Sequence, residues 1–147
     1  MLFRSENSAG AHIHLWQNAI ELISENPVFG TGIGDVKDQL MGMYRKNNYI
    51  NGLENQLNPH NQYLQTGVAL GLVGIILLVI IFLNGLVISF KNNDWIAFLF
   101  IAIVSLNCLT ESMLERRAGI LFFALFYSLF FTPGNIMKTS FENHTGN

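Results

Sequence analysis

The chain has 147 residues, of which 50% are hydrophobic and 12% are charged, and its formal net charge is −2. Its mean hydropathy is +0.34. Soluble domains usually carry about 25% charged residues, so this composition indicates a membrane protein. The small net charge gives no sign of a nucleic acid or another strongly charged partner. A single cysteine, Cys108, excludes a disulfide framework within the chain and metal binding by paired cysteines.

The first residues carry no secretory signal, because no basic segment is followed there by an apolar run and a cleavage site. We nevertheless expect residues 1–63 to lie outside the cytoplasm, and something upstream would then have to thread them across the membrane. The sequence therefore predicts a fragment of a longer parent protein. The alternative is that Met1 is the natural start and that the N-terminal region is cytoplasmic.

Residues 11–24 have the apolar periodicity of an amphipathic helix. The predicted apolar face carries Ile13, Trp16, Ile20 and Ile23, with Leu15, Ala19 and Leu22 beside it. The predicted polar face carries Gln17, Asn18 and Glu21. A tryptophan on the apolar face suits a helix that lies along a membrane interface or against a helical bundle. The Asn26-Pro27 pair should end this helix.

A glycine-rich segment, PVFGTGIGD, follows at residues 27–35. Its alternate glycines permit positive φ angles and close backbone approach. The segment lacks the preceding apolar strand and the Gly-Lys-Ser/Thr ending of a phosphate-binding loop, so we interpret it as a tight connector. Residues 35–46 predict a short amphipathic helix, and residues 47–58, rich in asparagine, predict an exposed loop.

Three apolar segments occupy the second half of the chain. Residues 68–90 form a run of 23 residues, which as a helix spans roughly 34 Å and crosses a hydrocarbon core of about 30 Å. Residues 95–110 form the second segment. The third, residues 118–131, has only 14 residues, so it is a short span, a re-entrant piece or a buried helix.

The predicted fold class is therefore all-α. We expect an integral membrane helical protein with about three membrane segments within residues 64–132. An extracytoplasmic region of amphipathic helices and loops, residues 1–63, precedes them, and a cytoplasmic tail, residues 133–147, follows them.

A tight polar turn is predicted at residues 91–94, between the first two apolar segments. Lys91 lies in this turn and Lys138 lies in the tail, so the positive-inside rule places the turn and the tail in the cytoplasm. The N-terminal region and the turn at residues 111–117 then face the opposite side. The Arg116-Arg117 pair contradicts a simple count of basic residues, because the positive-inside rule would place such a pair in the cytoplasm. It needs either neighbouring carboxylates or an anionic ligand as a partner.

His60 lies where the first membrane helix is predicted to start, and a histidine can act as a general base near neutral pH. With Asn61 it would also expose the free N–H groups of a helix start, which favour anions. The alternative is a solvent-exposed histidine at a helix start. His12 and His14 point to different helix faces, so no metal site is predicted there.

The turn at residues 111–117 combines Glu111 and Glu115 with Arg116 and Arg117. Ionisable residues at a membrane boundary are often functional, although a boundary turn can also simply be solvated. Guanidinium groups suit phosphate recognition. The two carboxylates would compete for the same donors, so we expect only one free arginine.

Several short strings form a set. They are HLWQNAI at 14–20, NPVFGTGIG at 26–34, HNQYLQ at 60–65, GLVG at 71–74 and ESML at 111–114. Together they resemble the C-terminal half of the O-antigen ligase and polymerase family, over roughly residues 8–132. The PxFGxGxG and HNxYL patterns are fairly specific when they occur together, whereas either pattern alone would be weak.

The resemblance implies a multi-pass protein of the bacterial inner membrane, with residues 1–63 in the periplasm. Such proteins transfer a glycan from an undecaprenyl-diphosphate carrier to lipid A–core or to another glycan. No cofactor, metal or nucleic acid is implied. The implied partners are the lipid-linked glycan, the acceptor, membrane lipid, and either the missing N-terminal membrane helices or a partner chain.

The resemblance also implies roles for individual residues. His60 corresponds to the proposed catalytic base. The implied substrate-binding residues are His12, Asn61, Glu111, Arg116 and Arg117. His12 stands where many members have an arginine, so the phosphate contact falls to a protonated His12, to Arg116 or Arg117, or to residues upstream. We expect the isolated chain to be inactive.

Two other functions compete with this one. A non-catalytic membrane subunit of a polysaccharide export or synthesis system would use the N-terminal region to bind a partner. A transporter would favour ionisable residues within the spans, and residues 68–90 and 95–110 contain none. The sequence does not decide between ligase and polymerase, or identify the sugar and the acceptor.

Overall fold

The computed structural model describes residues 8–132, and this part of the chain is helical and contains no strand. The helices are α1 (Ser8–Glu25), α2 (Val36–Lys46), α3 (Ile50–Glu54), α4 (Gln62–Lys91), α5 (Trp95–Asn107) and α6 (Arg117–Phe131), with a 3₁₀ turn at Met113–Glu115 before α6. The all-α prediction is confirmed. The predicted tail at residues 133–147 lies outside the described residues.

Helix α1 ends at Glu25, directly before Asn26-Pro27, as the sequence predicts. Its predicted apolar face was wrong in part, because the buried side is centred on the apolar residues that were predicted to lie beside that face. The buried side is formed by Leu15, Asn18, Ala19 and Leu22, whereas Ile13 and Ile20 are 55% and 56% exposed. The helix turns this way because Asn18 is satisfied when buried: its amide donates to the His14 carbonyl at 2.7 Å, and its oxygen accepts from Asn47 at 2.9 Å.

Helix α2 is amphipathic as predicted. It buries Val36, Leu40, Met41, Met43 and Tyr44 in a core with α1 and the start of α4. Its C-terminal Lys46 forms ion pairs with Glu21 and Glu25 of α1 at 3.0 and 2.9 Å. Hydrogen bonds from Asn47 and Lys46 lower the pKa of Glu21. The α1–α2 pair is therefore held by an apolar core with an ion-paired rim.

The expectation of an exposed loop at residues 47–58 was wrong in part. Helix α3 lies within it, and Tyr49 is buried with its ring 5.6 Å from that of Tyr44 in an edge-to-face arrangement. The Tyr44 hydroxyl donates to the Leu57 carbonyl at 3.2 Å. Two tyrosines therefore order a segment whose asparagine content alone indicates a loop.

Helix α4 is broken at Gly71, which has a φ of 65° and a ψ of −158°. A positive φ costs little for glycine because it has no Cβ. The break divides α4 into a polar first part, residues 62–70, and an apolar second part, residues 72–91. A helix break leaves N–H and C=O groups without their usual partners, and these need others.

The glycine-rich loop supplies those partners through its main chain. The N–H groups of Thr31 and Gly32 donate to the Val68 and Ala69 carbonyls at 2.8 and 3.0 Å. In return the N–H of Leu72 donates to the Pro27 carbonyl at 2.8 Å. The loop that the sequence predicts to be a tight connector is therefore hydrogen-bonded across a broken helix.

Among residues 8–132, α4 is the one helix that is long and apolar enough to cross a membrane. Its 20 residues after Gly71 alone span about 30 Å. Only 33% of its most apolar stretch is buried inside the chain, which leaves a wide apolar surface for lipid or for other helices.

Helices α5 and α6 are apolar but short, with 13 and 15 residues, or about 20 and 22 Å. Helix α5 returns along α4 after the predicted polar turn at residues 91–94 and packs Ile101 and Val104 against Leu78 and Phe82. Helix α5 ends at Asn107, three residues before the predicted limit. The structure thus supports one membrane-spanning helix, and three segments stay a prediction.

Alanine at Gly30 or Gly71 should destabilise the protein strongly. A Cβ on Gly30 would lie 2.5 Å from the Val68 carbonyl oxygen, and one on Gly71 would meet the Val28 carbonyl, and both positions have positive φ. We expect each change to lower the free energy of unfolding by about 3 kcal/mol, measured by denaturant titration in mild detergent. The control is Gly34→Ala in the same loop, where nothing lies within 4 Å; an equal loss there would contradict the prediction.

Candidate functional site

One end of the molecule gathers the start of α4, the end of α5 and the 3₁₀ turn. The Gln62 N–H donates to the Cys108 carbonyl at 2.7 Å, and the Gln62 side-chain oxygen accepts from the Leu114 N–H at 2.7 Å. The sequence led us to expect the HN motif and the turn at residues 111–117 at one end, and the structure brings them into contact.

His60 lies just outside the helix. Helix α4 begins at Gln62 with Asn61 as its N-cap, two residues later than predicted, and His60 has a φ of 46°. A residue with a Cβ in this left-handed region costs roughly 1–2 kcal/mol, although histidine tolerates it better than most residues. Because His60 is not part of the helix, other contacts have to hold its imidazole in place.

Three contacts hold this loop. The Asn58 side-chain oxygen accepts from the His60 N–H at 3.1 Å, and its amide donates to the Glu115 carboxylate at 2.7 Å. On the other side, the Trp16 indole N–H donates to the Pro59 carbonyl at 3.0 Å. The loop that carries His60 is thus hydrogen-bonded to α1 and to the 3₁₀ turn. Sequence reasoning assigned Trp16 to a membrane or bundle contact and missed Asn58.

The His60 imidazole lies beside a carboxylate. Its Nδ1 is 3.5 Å from Oε2 of Glu111, with the two side chains 32% and 59% exposed. The ring of His12 lies edge-on, with 5.7 Å between centroids. A carboxylate facing Nδ1 favours the tautomer with the proton on that nitrogen, which leaves Nε2 as an acceptor. Three predicted site residues, His12, His60 and Glu111, are therefore adjacent.

Asn61 is buried, and the protein already uses both ends of its amide. The oxygen accepts from the Leu64 N–H at 3.0 Å, and the nitrogen donates to the Leu109 carbonyl at 3.0 Å. This geometry gives Asn61 a positioning role, in which it starts α4 and holds the end of α5 against it. It leaves little capacity for the predicted contact with substrate.

Arg116 and Arg117 are both exposed, and α6 begins at Arg117. The expected competition from neighbouring carboxylates does not occur: within residues 8–132 the ion pairs are those of Lys46 with Glu21 and Glu25, and Glu111 lies beside the His60 ring. Glu115 accepts from Asn58 instead. Both guanidinium groups are thus available to an anion, against the expectation of only one.

A cleft of about 610 Å³ opens beside His60, between α2, the segment before His60 and the first turns of α4. Its apolar wall includes Leu40, Met41, Leu57, Ala69, Leu70 and Leu114. Its polar lining includes Lys37, Gln56, Asn58, Gln62, Gln65 and Glu115. Sequence reasoning missed this cleft, because Lys37 and the first turns of α4 meet only in the folded chain. The helical spacing of Gln62, Gln65 and Ala69 was the available signal.

No group of three or more His, Cys, Asp or Glu side chains in the described part of the chain has the arrangement of a metal site. The cleft lining itself supplies an imidazole, a carboxylate, several amides and one ammonium group, that of Lys37.

Asn58→Ala should loosen the His60 loop, because it removes both the bond to the His60 N–H and the bond to Glu115. We expect a loss of about 1–2 kcal/mol in the free energy of unfolding and faster amide hydrogen exchange at His60. The control is Asn55→Ala, whose side chain bonds only to Asn51 within one exposed turn, and whose cost should stay within about 0.5 kcal/mol. Unchanged exchange at His60 in Asn58→Ala would show that the loop is held by other contacts.

Comparison with known proteins gives a family match over residues 2–79, more than half of the chain, to the model described as O-antigen ligase. The matched part contains His12, His60 and the whole glycine-rich loop, while Glu111 and the two arginines lie beyond it. An uncharacterized protein of Haemophilus influenzae is 34% identical over 85 residues, which cover 58% of this chain and 21% of that protein. No solved structure matches. The chain belongs to the O-antigen ligase family.

Proposed function

We propose that the chain forms the C-terminal part of an O-antigen-ligase-like membrane glycosyltransferase. The enzyme would move a glycan from undecaprenyl diphosphate to lipid A–core or to another glycan acceptor. Family membership supports this class of function. The aligned stretch covers only 21% of the Haemophilus influenzae relative, so most of the lipid-binding surface would come from outside this chain.

The observation that carries the proposal is the placement of His60. Its imidazole opens onto the cleft, its Nδ1 faces the Glu111 carboxylate at 3.5 Å, and its loop is held from two sides. A base whose second nitrogen is oriented by a carboxylate is the arrangement that activates hydroxyl groups in many enzymes. These contacts favour a base over the alternative considered from the sequence, a solvent-exposed histidine at a helix start.

In the proposed reaction, Nε2 of His60 takes the proton of an acceptor hydroxyl as its oxygen attacks the anomeric carbon. The new carbon–oxygen bond forms as the bond to the carrier diphosphate breaks, and the diphosphate leaves with the electron pair. Glu111 stabilises the imidazolium that forms. Configuration at the anomeric carbon inverts, because attack and departure occur on opposite faces.

The departing diphosphate needs positive charge, and Arg116 and Arg117, which are exposed and form no ion pair among residues 8–132, directly follow Glu115 in the chain. Glu115 is hydrogen-bonded to Asn58 of the His60 loop, so the arginine that follows it lies at the same end of the molecule. Guanidinium groups bind phosphate oxygens in pairs and stabilise the charge that develops on them.

His60→Ala should abolish glycan transfer, with a loss of about 100-fold or more, because the acceptor loses its base. The assay uses cells in which the chromosomal gene carries the variant. Transfer is followed as glycan ladders on gels of surface lipopolysaccharide, and protein level is followed by immunoblotting.

Two further variants sharpen this test. Glu111→Gln should give a smaller loss, since it removes the charge that stabilises the imidazolium and leaves the base. His14→Ala is the matched control, because its ring contacts Tyr49 and lies away from the cleft. Wild-type transfer by His60→Ala at normal protein level would remove the catalytic role and would favour a non-catalytic assembly subunit.

We also propose that residues 1–63 lie in the periplasm and that the turn at residues 91–94 faces the cytoplasm. After Cys108→Ser, single cysteines at Glu54→Cys and Asn92→Cys mark the two ends, since both positions are exposed. A membrane-impermeant maleimide applied to spheroplasts should label position 54 and not position 92. The reverse pattern would place His60 in the cytoplasm and contradict the proposed reaction.

A further inference from the structure

The cleft contains a polar group that the reaction above does not use. Gln65 lines the cleft in the first turns of α4 and is 7% exposed. Its side-chain oxygen is buried and has no hydrogen-bond partner in the described part of the chain. The neighbouring amides are satisfied: Gln62 bonds to Leu114 and Thr66, and Asn61 bonds to Leu64 and Leu109.

A buried amide oxygen without a partner destabilises a folded protein, and most native structures avoid it. Its retention in a side chain that lines the same cleft as His60 points to a ligand that supplies the missing partner. A leucine or methionine at this position would carry no such cost.

The chemistry of the cleft selects the ligand. An amide offers both a donor and an acceptor, as a sugar hydroxyl does. The carboxylate of Glu115 and the amide oxygen both disfavour an anion in the cleft, where Lys37 is the one cationic side chain of the lining. The apolar wall suits the C–H face of a pyranose ring. A neutral, hydroxyl-rich sugar unit fits this lining better than a diphosphate.

We propose that Gln65 is a recognition residue for the acceptor glycan, and that its amide hydrogen-bonds a hydroxyl or acetamido group of the sugar that presents its nucleophile to His60. This inference rests on the proposed function, because the acceptor is assigned to the cleft through the proton that His60 removes. Gln65 then governs acceptor affinity, while His60 governs the rate of transfer.

The test is Gln65→Met, which keeps the side-chain length and removes the amide. Thermal unfolding of the purified full-length gene product in detergent should give an unchanged or higher midpoint, because an unsatisfied polar group is replaced by an apolar one. Transfer in membrane vesicles, titrated with acceptor lipopolysaccharide from a strain lacking the glycan, should need about tenfold more acceptor for half-maximal rate.

Gln39→Met is the matched control, since Gln39 is exposed on α2 and does not line the cleft; it should alter neither measurement. A lower unfolding midpoint in Gln65→Met would show a structural role for the amide and overturn the proposal. An unchanged acceptor requirement would overturn it as well.

The same titration with His60→Ala separates the two hypotheses. Loss of the maximal rate in His60→Ala together with an unchanged acceptor requirement in Gln65→Met refutes the recognition role alone. Full transfer by His60→Ala together with a raised acceptor requirement in Gln65→Met refutes the base and retains the cleft as the acceptor site.

Discussion

The structure depends on the hydrogen bonds between the glycine-rich loop and the break in α4. Buried N–H and C=O groups without partners are costly, and most costly in the hydrocarbon core of a bilayer, where no water can satisfy them. Here Thr31, Gly32 and Pro27 bond to the carbonyl and amide groups that flank Gly71. The first turns of α4 can therefore run in a different direction from its apolar part, and the same hydrogen bonds connect the glycine-rich loop to both parts.

The cleft is a product of that arrangement. One of its walls is α2, which follows the glycine-rich loop, and another is the first part of α4, which the loop holds. His60 lies between them on a segment with positive φ, hydrogen-bonded through Trp16 and Asn58. If His60 is the base, as proposed, these contacts hold it before substrate arrives, and such preorganisation lowers the barrier to reaction.

Local sequence patterns predicted the positions of the helices well, and they predicted poorly how the helices and loops contact one another. The periodicity of α2, the stop at Pro27 and the long apolar run of α4 depend on neighbouring residues, so they could be predicted. The orientation of α1 depends on a bond from Asn47 to Asn18, 29 residues away. The His60 loop depends on a bond from Asn58 to Glu115 over 57 residues, and the break at Gly71 depends on a loop 40 residues upstream. A local sequence pattern cannot predict such contacts, because their partners lie far apart in the sequence. The HN motif predicted the proposed base His60, whereas the proposed recognition amide of Gln65 is indicated only by the burial of its oxygen in the structure.

The loop across the helix break is held mainly by main-chain atoms, with one side-chain bond from the Thr31 hydroxyl to the Val68 carbonyl at 3.1 Å, and its large apolar side chains take no part in these bonds. Phe29 and Ile33 each expose 76% of their surface while the backbone between them is bonded to α4. Substitutions at these two positions leave the hydrogen bonds intact, whereas Gly30 admits no side chain. Related proteins can therefore vary the outward chemistry of the loop, and with it the neighbours it meets, while the geometry of the helix break stays the same; at Ile33, which also lines the cleft, such a change alters the cleft wall as well.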